Sequence, residues 1–503
     1  MEPGGGGTAP GAGSAHATRR AEGSLLRRLF SESAVYGLGG VGAQALGILL
    51  VPLYANALGS TSYGVLALLT TTLSLSSMVA TLALPQTFFK WYFQESSTPA
   101  ERAHVMGVTL GVRLVASVVG AAGLALLAIP LAVLLFGGRE LPLLLLLVPV
   151  VLCDSLTSYP LSYLRAERRA GPYAALSFSR AVLGSGLAVI LVLFVGLGVA
   201  GVVLGSLISS SAVLAASYAA LGGRGAIRLA WDRRMATAML AFSLPLLPAS
   251  IAGWALNLSD RYVLQAFEGP ATVGVYAVGY TLGLAINAVV LAPFSLAWGA
   301  AYWEIARGPH PERSFSRVMI GFLVTASFAA LGVSALATDL IRLLFRPEFE
   351  PGRFVVPFSA FGHVLSGVYV LGSAGLNLRS QTRWQPVLVV GAALANVVLN
   401  LTLVPTLGFM GAAVSTGVCY GLLGVVTTVV AQRYYPVPWD VPRSAGAVVM
   451  AAALTAAALL GPDHVAWRIA CVAAYPALAI ALRIVRRADL QAAASLIGRP
   501  PRR

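Results

Sequence analysis

FSLPLLPASIAGWALNLSDRYVLQAFEGPATVGVYAVGYTLG, residues 242–283, decides how the chain is read. An apolar helix with Pro245 and Pro248 near its start runs to Asp260 and Arg261 near its far end, turns within a few residues, and resumes as a second apolar helix. The helix is apolar enough to span a membrane, and two charges set into such a helix call by default for a functional explanation. The stretch also has an echo. Gly269, Gly274, Val275 and Ala277 match Gly59, Gly64, Val65 and Ala67 in GSTSYGVLAL, each at an offset of 210 residues.

Around this stretch, 57% of the chain is hydrophobic and 11% charged, with a mean hydropathy of +0.81. No soluble core hides that much apolar surface, so an all-α integral membrane protein is expected. At about 20 apolar residues per crossing, the sequence predicts fourteen spans: 34–57, 63–87, 106–136, 142–163, 172–195, 199–221, 238–265, 272–302, 318–345, 354–377, 386–405, 410–433, 444–461 and 466–485. The net charge of +15 sits in short clusters between these runs, which reads as a topology signal and not as a nucleic-acid surface. With the amino terminus in the cytoplasm, 26 of the 34 basic residues fall on inner segments. The outer segments hold only Arg139, Arg342, Arg346, Arg353 and Arg468, and Arg113, Arg180 and Arg261 lie within spans. That bias predicts that both termini are cytoplasmic.

Residues 1–32 read as a disordered, basic cytoplasmic tail ending in an interfacial turn (Leu25, Leu26, Leu29 and Phe30 beside Arg27 and Arg28). The apolar run that follows is too long for a signal peptide. Cys153, Cys419 and Cys471 fall in apolar runs at no metal-ligand spacing and are expected as small core residues; no metal or cofactor is expected. The echo recurs where Leu197, Gly198 and Gly201 match Leu407, Gly408 and Gly411, again 210 residues on. Two six-helix repeats, 33–223 and 236–435, are predicted, followed by a helix pair at 443–486 and a basic cytoplasmic tail at 487–503. An even number of spans per repeat makes the halves parallel, with a substrate path at their interface.

VPLYANALGSTSYGVLAL, YLRAERRAGPYA, LSDRYVLQAFEGPATVGVYAVGYTLG and ANVVLNLTLVPTLGFMGAAVST, in this order and spacing, resemble the polysaccharide-biosynthesis branch of the multidrug/oligosaccharidyl-lipid/polysaccharide exporter superfamily, over about residues 31 to 435. The resemblance implies two six-helix lobes around a cavity that opens alternately to the two sides of a bacterial cytoplasmic membrane. It implies outward movement of polyprenyl-diphosphate-linked glycans, with glycosyltransferases and a polymerase of surface-polysaccharide assembly as partners. The extra carboxyl-terminal helix pair is similar to that of the fourteen-span flippases.

Arg113 and Arg180 each lie about eight residues inside a predicted span, roughly 12 Å deep. A lone charge near mid-membrane costs ~2.5–3.5 kcal/mol on insertion scales, so each needs a partner, a wet cavity or an anionic ligand. Asp154 is the internal partner on offer. Pairing with one arginine would hold the first lobe together, and even then the set retains a surplus positive charge that diphosphate recognition would use. Arg261 snorkels to the outer headgroups or pairs with Asp260, or it contacts an anionic headgroup in the outward-facing state while Asp260 orients it or marks an ion site. Pro245 and Pro248 remove backbone donors and form a candidate hinge or a packing kink.

Lys90, the only lysine, is an inner-interface anchor or a phosphate contact at the cavity mouth. Tyr276, Tyr280, Asn287 and Trp298 are candidate cavity-lining residues or ordinary packing. His363 is a core histidine or a proton relay. Asn396 and Asn400 share one face of a helix and are expected to bond neighbouring helices. The sole lysine follows Phe89, so no P-loop is present. Short outer loops leave little room for a glycosyltransferase or polymerase site. The sequence therefore predicts a lipid-linked oligosaccharide flippase. The rival readings are a cation-coupled drug or small-molecule antiporter and, from another class, a membrane enzyme or scaffold of glycan synthesis.

Overall fold

Proline and glycine punctuate the apolar runs where helices begin and end. The third predicted span illustrates the rule: Thr98 accepts from the Glu101 amide and Glu101 reaches back to the Thr98 amide, Pro99 opens the helix, and left-handed Gly137 ends it. The structure is a computed structural model that describes residues 12–96, 98–222 and 228–486, with side chains described outside 12–41, 43 and 222. Among these residues every regular element is helical.

A first group comprises α1 (Ala12–Thr81), α2 (Leu84–Gln94), α3 (Pro99–Phe136), α4 (Leu141–Ala166), α5 (Ala170–Val189) and α6 (Gly198–Gly222). A second follows as α7 (Arg233–Ser243), α8 (Leu247–Leu258), α9 (Asp260–Phe267), α10 (Pro270–Ile286), α11 (Ala292–Ala306), α12 (Pro311–Ala335), α13 (Ala337–Leu344), α14 (Val355–Leu378), α15 (Trp384–Leu407) and α16 (Phe409–Gln432). Last come α17 (Val441–Leu460) and α18 (Val465–Ala481), which pack on α12 around Leu331, Met450 and Tyr475.

Twelve segments among the described residues are long and apolar enough to cross a membrane, which makes the chain a multi-pass membrane protein. The first of them, Gln44–Gln94, covers residues 44–57 of the first predicted span and all of the second, and is interrupted at Gly59 (φ 75°, ψ 168°), in the interval between them. The fourteenth predicted span falls on the 17-residue α18, shorter than the others. The backbone of 12–32, expected to be disordered, continues as helix into α1. The side chains of the expected interfacial turn, the tails at 1–11 and 487–503, and linker residues 223–227 lie outside the described residues. Cys419 and Cys471 are buried and Cys153 is half-buried, and all three are free thiols.

The two groups meet along α1 and α10. A Cβ on Gly64 would lie 1.8 Å from the Pro270 carbonyl oxygen, and a Cβ on Gly274 would lie 2.1 Å from that of Ser60. An offset of 210 residues converts either contact into the other. The same offset relates Gly59 to Gly269 (φ 75° and 84°) and Gly198 to Gly408 (φ 55° and 56°), all in backbone conformations that disfavour a side chain. Beside this crossing, Asn56 donates to the Leu344 carbonyl at 2.7 Å and accepts from the Arg346 amide at 2.9 Å. Ser60 donates to Glu348 through both its amide and its hydroxyl, each at 3.0 Å. The bundle is thus latched at the end away from the basic clusters.

One helix passes from group to group. α7 packs on α2 and α3, whereas α8 packs on α15. The change of neighbours occurs at a short 3-10 turn, Leu244–Leu246, with Pro245 inside it and Pro248 just beyond. Proline interrupts the i to i−4 ladder and lets the two halves take different directions.

Candidate functional site

Three clusters hold the ionised side chains that the sequence placed inside the membrane. The first opens α9. Asp260 is 1% exposed and accepts from the Tyr276 hydroxyl, from Arg261 Nη1 at 3.2 Å and from Thr416 Oγ1 at 3.5 Å. Arg261, 6% exposed, also donates to the Asn257 carbonyl at 3.3 Å and sits 4.8 Å from the Tyr280 ring centre. Tyr420 donates to Asn257 Oδ1, and His363 lies against both Tyr280 and Tyr420. The cluster pairs one acidic with one basic side chain and is buried within the protein. In this conformation Arg261 therefore neither snorkels nor meets a headgroup.

The second cluster lies where α1 ends. Leu82 and Ala83 have φ of 49° and 52°, so the helix breaks within the second predicted span before Pro85 resumes it as α2. A broken helix leaves carbonyls without partners and a negative dipole end, both costly in hydrocarbon. Arg113 Nη1 donates to the Thr81 carbonyl at 2.8 Å and Ser155 Oγ to that of Ala80 at 3.1 Å. Arg113 is 1% exposed, so it caps the break from within the first group and does not face a cavity.

The third cluster is Asp154, Arg180 and Ser210. Arg180 Nη2 bonds Asp154 Oδ2 at 2.5 Å and Ser210 Oγ donates to Asp154 Oδ1 at 2.7 Å. The Arg180 side chain stays 43% exposed, facing a cavity of about 370 Å³ between α1, α5 and α6. Of the two arginines offered to Asp154 by the sequence, the structure pairs it with Arg180.

The other candidates disperse. Lys90 lies 4.7 Å from the Trp91 ring centre and 4.6 Å from that of Phe242, bracketed by aromatics of α2 and α7. Asn287 is half-buried at the start of a π turn, Asn287–Leu291, and Trp298 packs into a core with Phe294 and Phe315. Asn400 donates to the Asn396 carbonyl and side chain at 2.9 and 3.0 Å, a bond within α15, while the Asn396 side chain meets Cys419 of the neighbouring α16. At the basic end, Asp232 caps α7 and faces His104 Nε2 at 3.4 Å. Hydrogen bonds from the Met235 amide and His104 hold its carboxyl below the usual range.

Sequence reasoning missed Asn257, Thr416, Tyr420 and Ser210. Asn257 carried a signal, since it stands one helical turn before Arg261. Thr416 and Tyr420 arrive from α16 and carried none.

The profile of a known family, described as polysaccharide biosynthesis protein, matches residues 29–298, more than half of the chain. The chain belongs to that family. Among curated proteins, no sequence matches this polysaccharide biosynthesis protein. Its fold is similar to that of the lipid II flippase MurJ in an inward closed conformation, with a TM-score of 0.69 at 13% identity, covering 88% of this chain and 98% of the other. It is also similar to an inward-facing multidrug resistance MATE family transporter of the MOP superfamily, with a TM-score of 0.58 at 17% identity, covering 78% and 94%. The Vibrio cholerae MATE transporter VcmN gives a TM-score of 0.53 at 16% identity, covering 82% and 97%. At these identities the likenesses are statements about fold.

Proposed function

We propose that this protein is a flippase, a transporter and not an enzyme, that moves polyprenyl-diphosphate-linked oligosaccharide outward across the bacterial cytoplasmic membrane for O-antigen, capsule or exopolysaccharide assembly. The observation that carries this reading is the family match over residues 29–298, on a fold shared with a lipid II flippase and with multidrug transporters. In this reading α1 is divided at Gly59 and α18 counts as a crossing, giving fourteen spans with both termini in the cytoplasm. The lobes are 33–223 and 236–435, with 443–486 appended. The glycine crossing and the Asn56 and Ser60 latch then close the outer side, and the headgroup path opens from the basic, cytoplasmic end.

Within this scheme Arg180 meets the headgroup in the first lobe. Arg261 is the outer-half candidate, free for a diphosphate only when Asp260 releases it. Arg113 positions the broken second span. The lobes move apart about the turn at Pro245 and Pro248, and the polyprenyl tail stays in lipid. Inside-negative potential favours export by ~2.3 kcal/mol per uncompensated negative charge per 100 mV. Glycosyltransferases and a polymerase are the expected partners. Deleting the gene and extracting lipids tests the reading: undecaprenyl-linked glycan accumulates on the inner leaflet. Unchanged lipid-linked glycan with increased drug sensitivity would refute it in favour of an antiporter, the reading that the second fold likeness supports.

A further inference from the structure

The cavity beside Arg180 has a composition unusual for its depth. Arg180 is ten residues from the start of α5 and Asp154 twelve from the end of α4, about 15 and 18 Å along their helices and so near mid-membrane. Yet polar side chains stand among the apolar ones of its wall. Ser177 and Ser185 line it from α5, Ser206, Ser209 and Ser210 from α6, and Tyr54 from α1. Their spacing of three, four and eight residues along each helix stacks them on one face, making a slot about 12 Å tall. Tyr54 closes one end by donating to the Ser185 carbonyl at 3.1 Å. The tight approach of α5 and α6, where a Cβ on Gly184 would lie 2.9 Å from Ser209 Oγ, forms the back.

We infer that this slot binds the neutral, polyhydroxylated part of a headgroup: a sugar ring carried on a lipid. The reasoning is electrostatic. Arg180 and Asp154 cancel, so an added phosphate would leave uncompensated negative charge near mid-membrane, where isolated ions are costly. Sugar hydroxyls both donate and accept, as serine and tyrosine hydroxyls do. Only one Arg180 nitrogen bonds the carboxylate, and a guanidinium has five N–H donors, so donors remain for ligand oxygens. Ser210 fixes Asp154, which in turn fixes the Arg180 fork. At about 370 Å³ the cavity lies near the lower end of small-molecule sites, roughly 300–1,000 Å³, a size for a monosaccharide unit and not for a long glycan.

The inference rests on the flippase reading for the source of the sugar, but it is tested separately. The full chain, with Ser206→Cys as reporter and Cys153, Cys419 and Cys471 replaced by alanine, is placed in neutral phosphatidylcholine nanodiscs and labelled with a maleimide. Hexyl β-glucoside, hexyl phosphate and hexanol are the competing probes. The glucoside at ten times its Kd slows labelling about tenfold, following 1 + [L]/Kd, while the phosphate and the alcohol leave the rate unchanged. Replacing Arg180 by methionine and Asp154 by leucine together abolishes the protection without exposing an unpaired charge. Equal protection by the phosphate, equal protection by hexanol, or no protection by the glucoside each overturns the inference. If gene deletion leaves lipid-linked glycan unchanged while glucoside protection persists, the flippase reading falls and the sugar slot stands.

Discussion

Replacing Gly274 by alanine would put a methyl carbon 2.1 Å from the Ser60 carbonyl oxygen, where ordinary contact begins at 3.4 Å. The α1–α10 crossing must then open by about 1.3 Å, and the obstacle is backbone, which cannot rotate aside as a side chain can. Overpacking of this kind costs roughly 1–3 kcal/mol. At 1.4 kcal/mol per tenfold, the conformer latched at this end loses about 5- to 150-fold in population relative to one that is open there. The open conformer does not use the contact, so the protein is expected to fold and to reach the membrane in normal amount. A cysteine at Asn56, in the cysteine-free background, reports the state through its rate of labelling by a membrane-impermeant maleimide. Labelling rises in Gly274→Ala and also in Gly64→Ala, whose added carbon would lie 1.8 Å from the Pro270 carbonyl oxygen. Surface glycan falls in both, because a transporter held in one state does not cycle. Unchanged labelling and glycan in both variants at normal protein level would refute the idea that this crossing closes the bundle.

Removing the Arg113 cap by Arg113→Met leaves the Thr81 carbonyl unsatisfied and should lower stability by roughly 1–3 kcal/mol; thermal unfolding in detergent measures it, and transport per folded molecule should change less than the amount of protein. Asp260→Asn strands Arg261 in the core at a cost of roughly 3–5 kcal/mol, whereas changing both residues to leucine together should be much milder; a double-mutant cycle on melting temperature checks the asymmetry. On the exposed side, hydrogen bonds from Arg342 and Arg468 hold the Asp463 carboxyl below its ordinary range. Because the folded value is depressed, Asp463 contributes stability that is complete above the unfolded pKa and is lost as pH falls through the lower, folded one. Stability, followed through unfolding at Trp467, should therefore fall toward acid below about pH 4, the ordinary carboxylate range, and Asp463→Asn should flatten that dependence.

The membrane class and the sites of the helices were legible because apolar runs and proline–glycine punctuation are local properties. The 210-residue echo was legible too, and it pointed to Gly64 and Gly274, the two residues at which backbones touch. Charge balance was only half legible. The Asp260–Arg261 pair is adjacent in sequence, and Asp154 was one of few carboxylates deep enough to meet an arginine. What no sequence spacing indicated was the break at Leu82–Ala83, where two non-glycine residues adopt positive φ because the surrounding helices over-determine them. Without that break, Arg113 looked like a ligand; with it, the guanidinium has a carbonyl to cap. The Arg180 slot was missed for a similar reason, since its serines come from two helices and each reads alone as a small packing residue.

The handover of α7 and α8 between groups has a consequence for how the polypeptide can be cut. The lobes proposed above divide within 224–235, but residues 228–243 ride on the first group: the Ala230 amide bonds the Gly107 carbonyl, and His104 meets Asp232. The proposed lobe boundary and the turn at Leu244–Leu246, the joint of α7 and α8, thus lie at different places in the chain. Two fragments divided within 223–227 leave the joint intact and should reassemble into a working protein when co-expressed. Division at the joint would give fragments that assemble without the only covalent strut coupling one half's rotation to the other's.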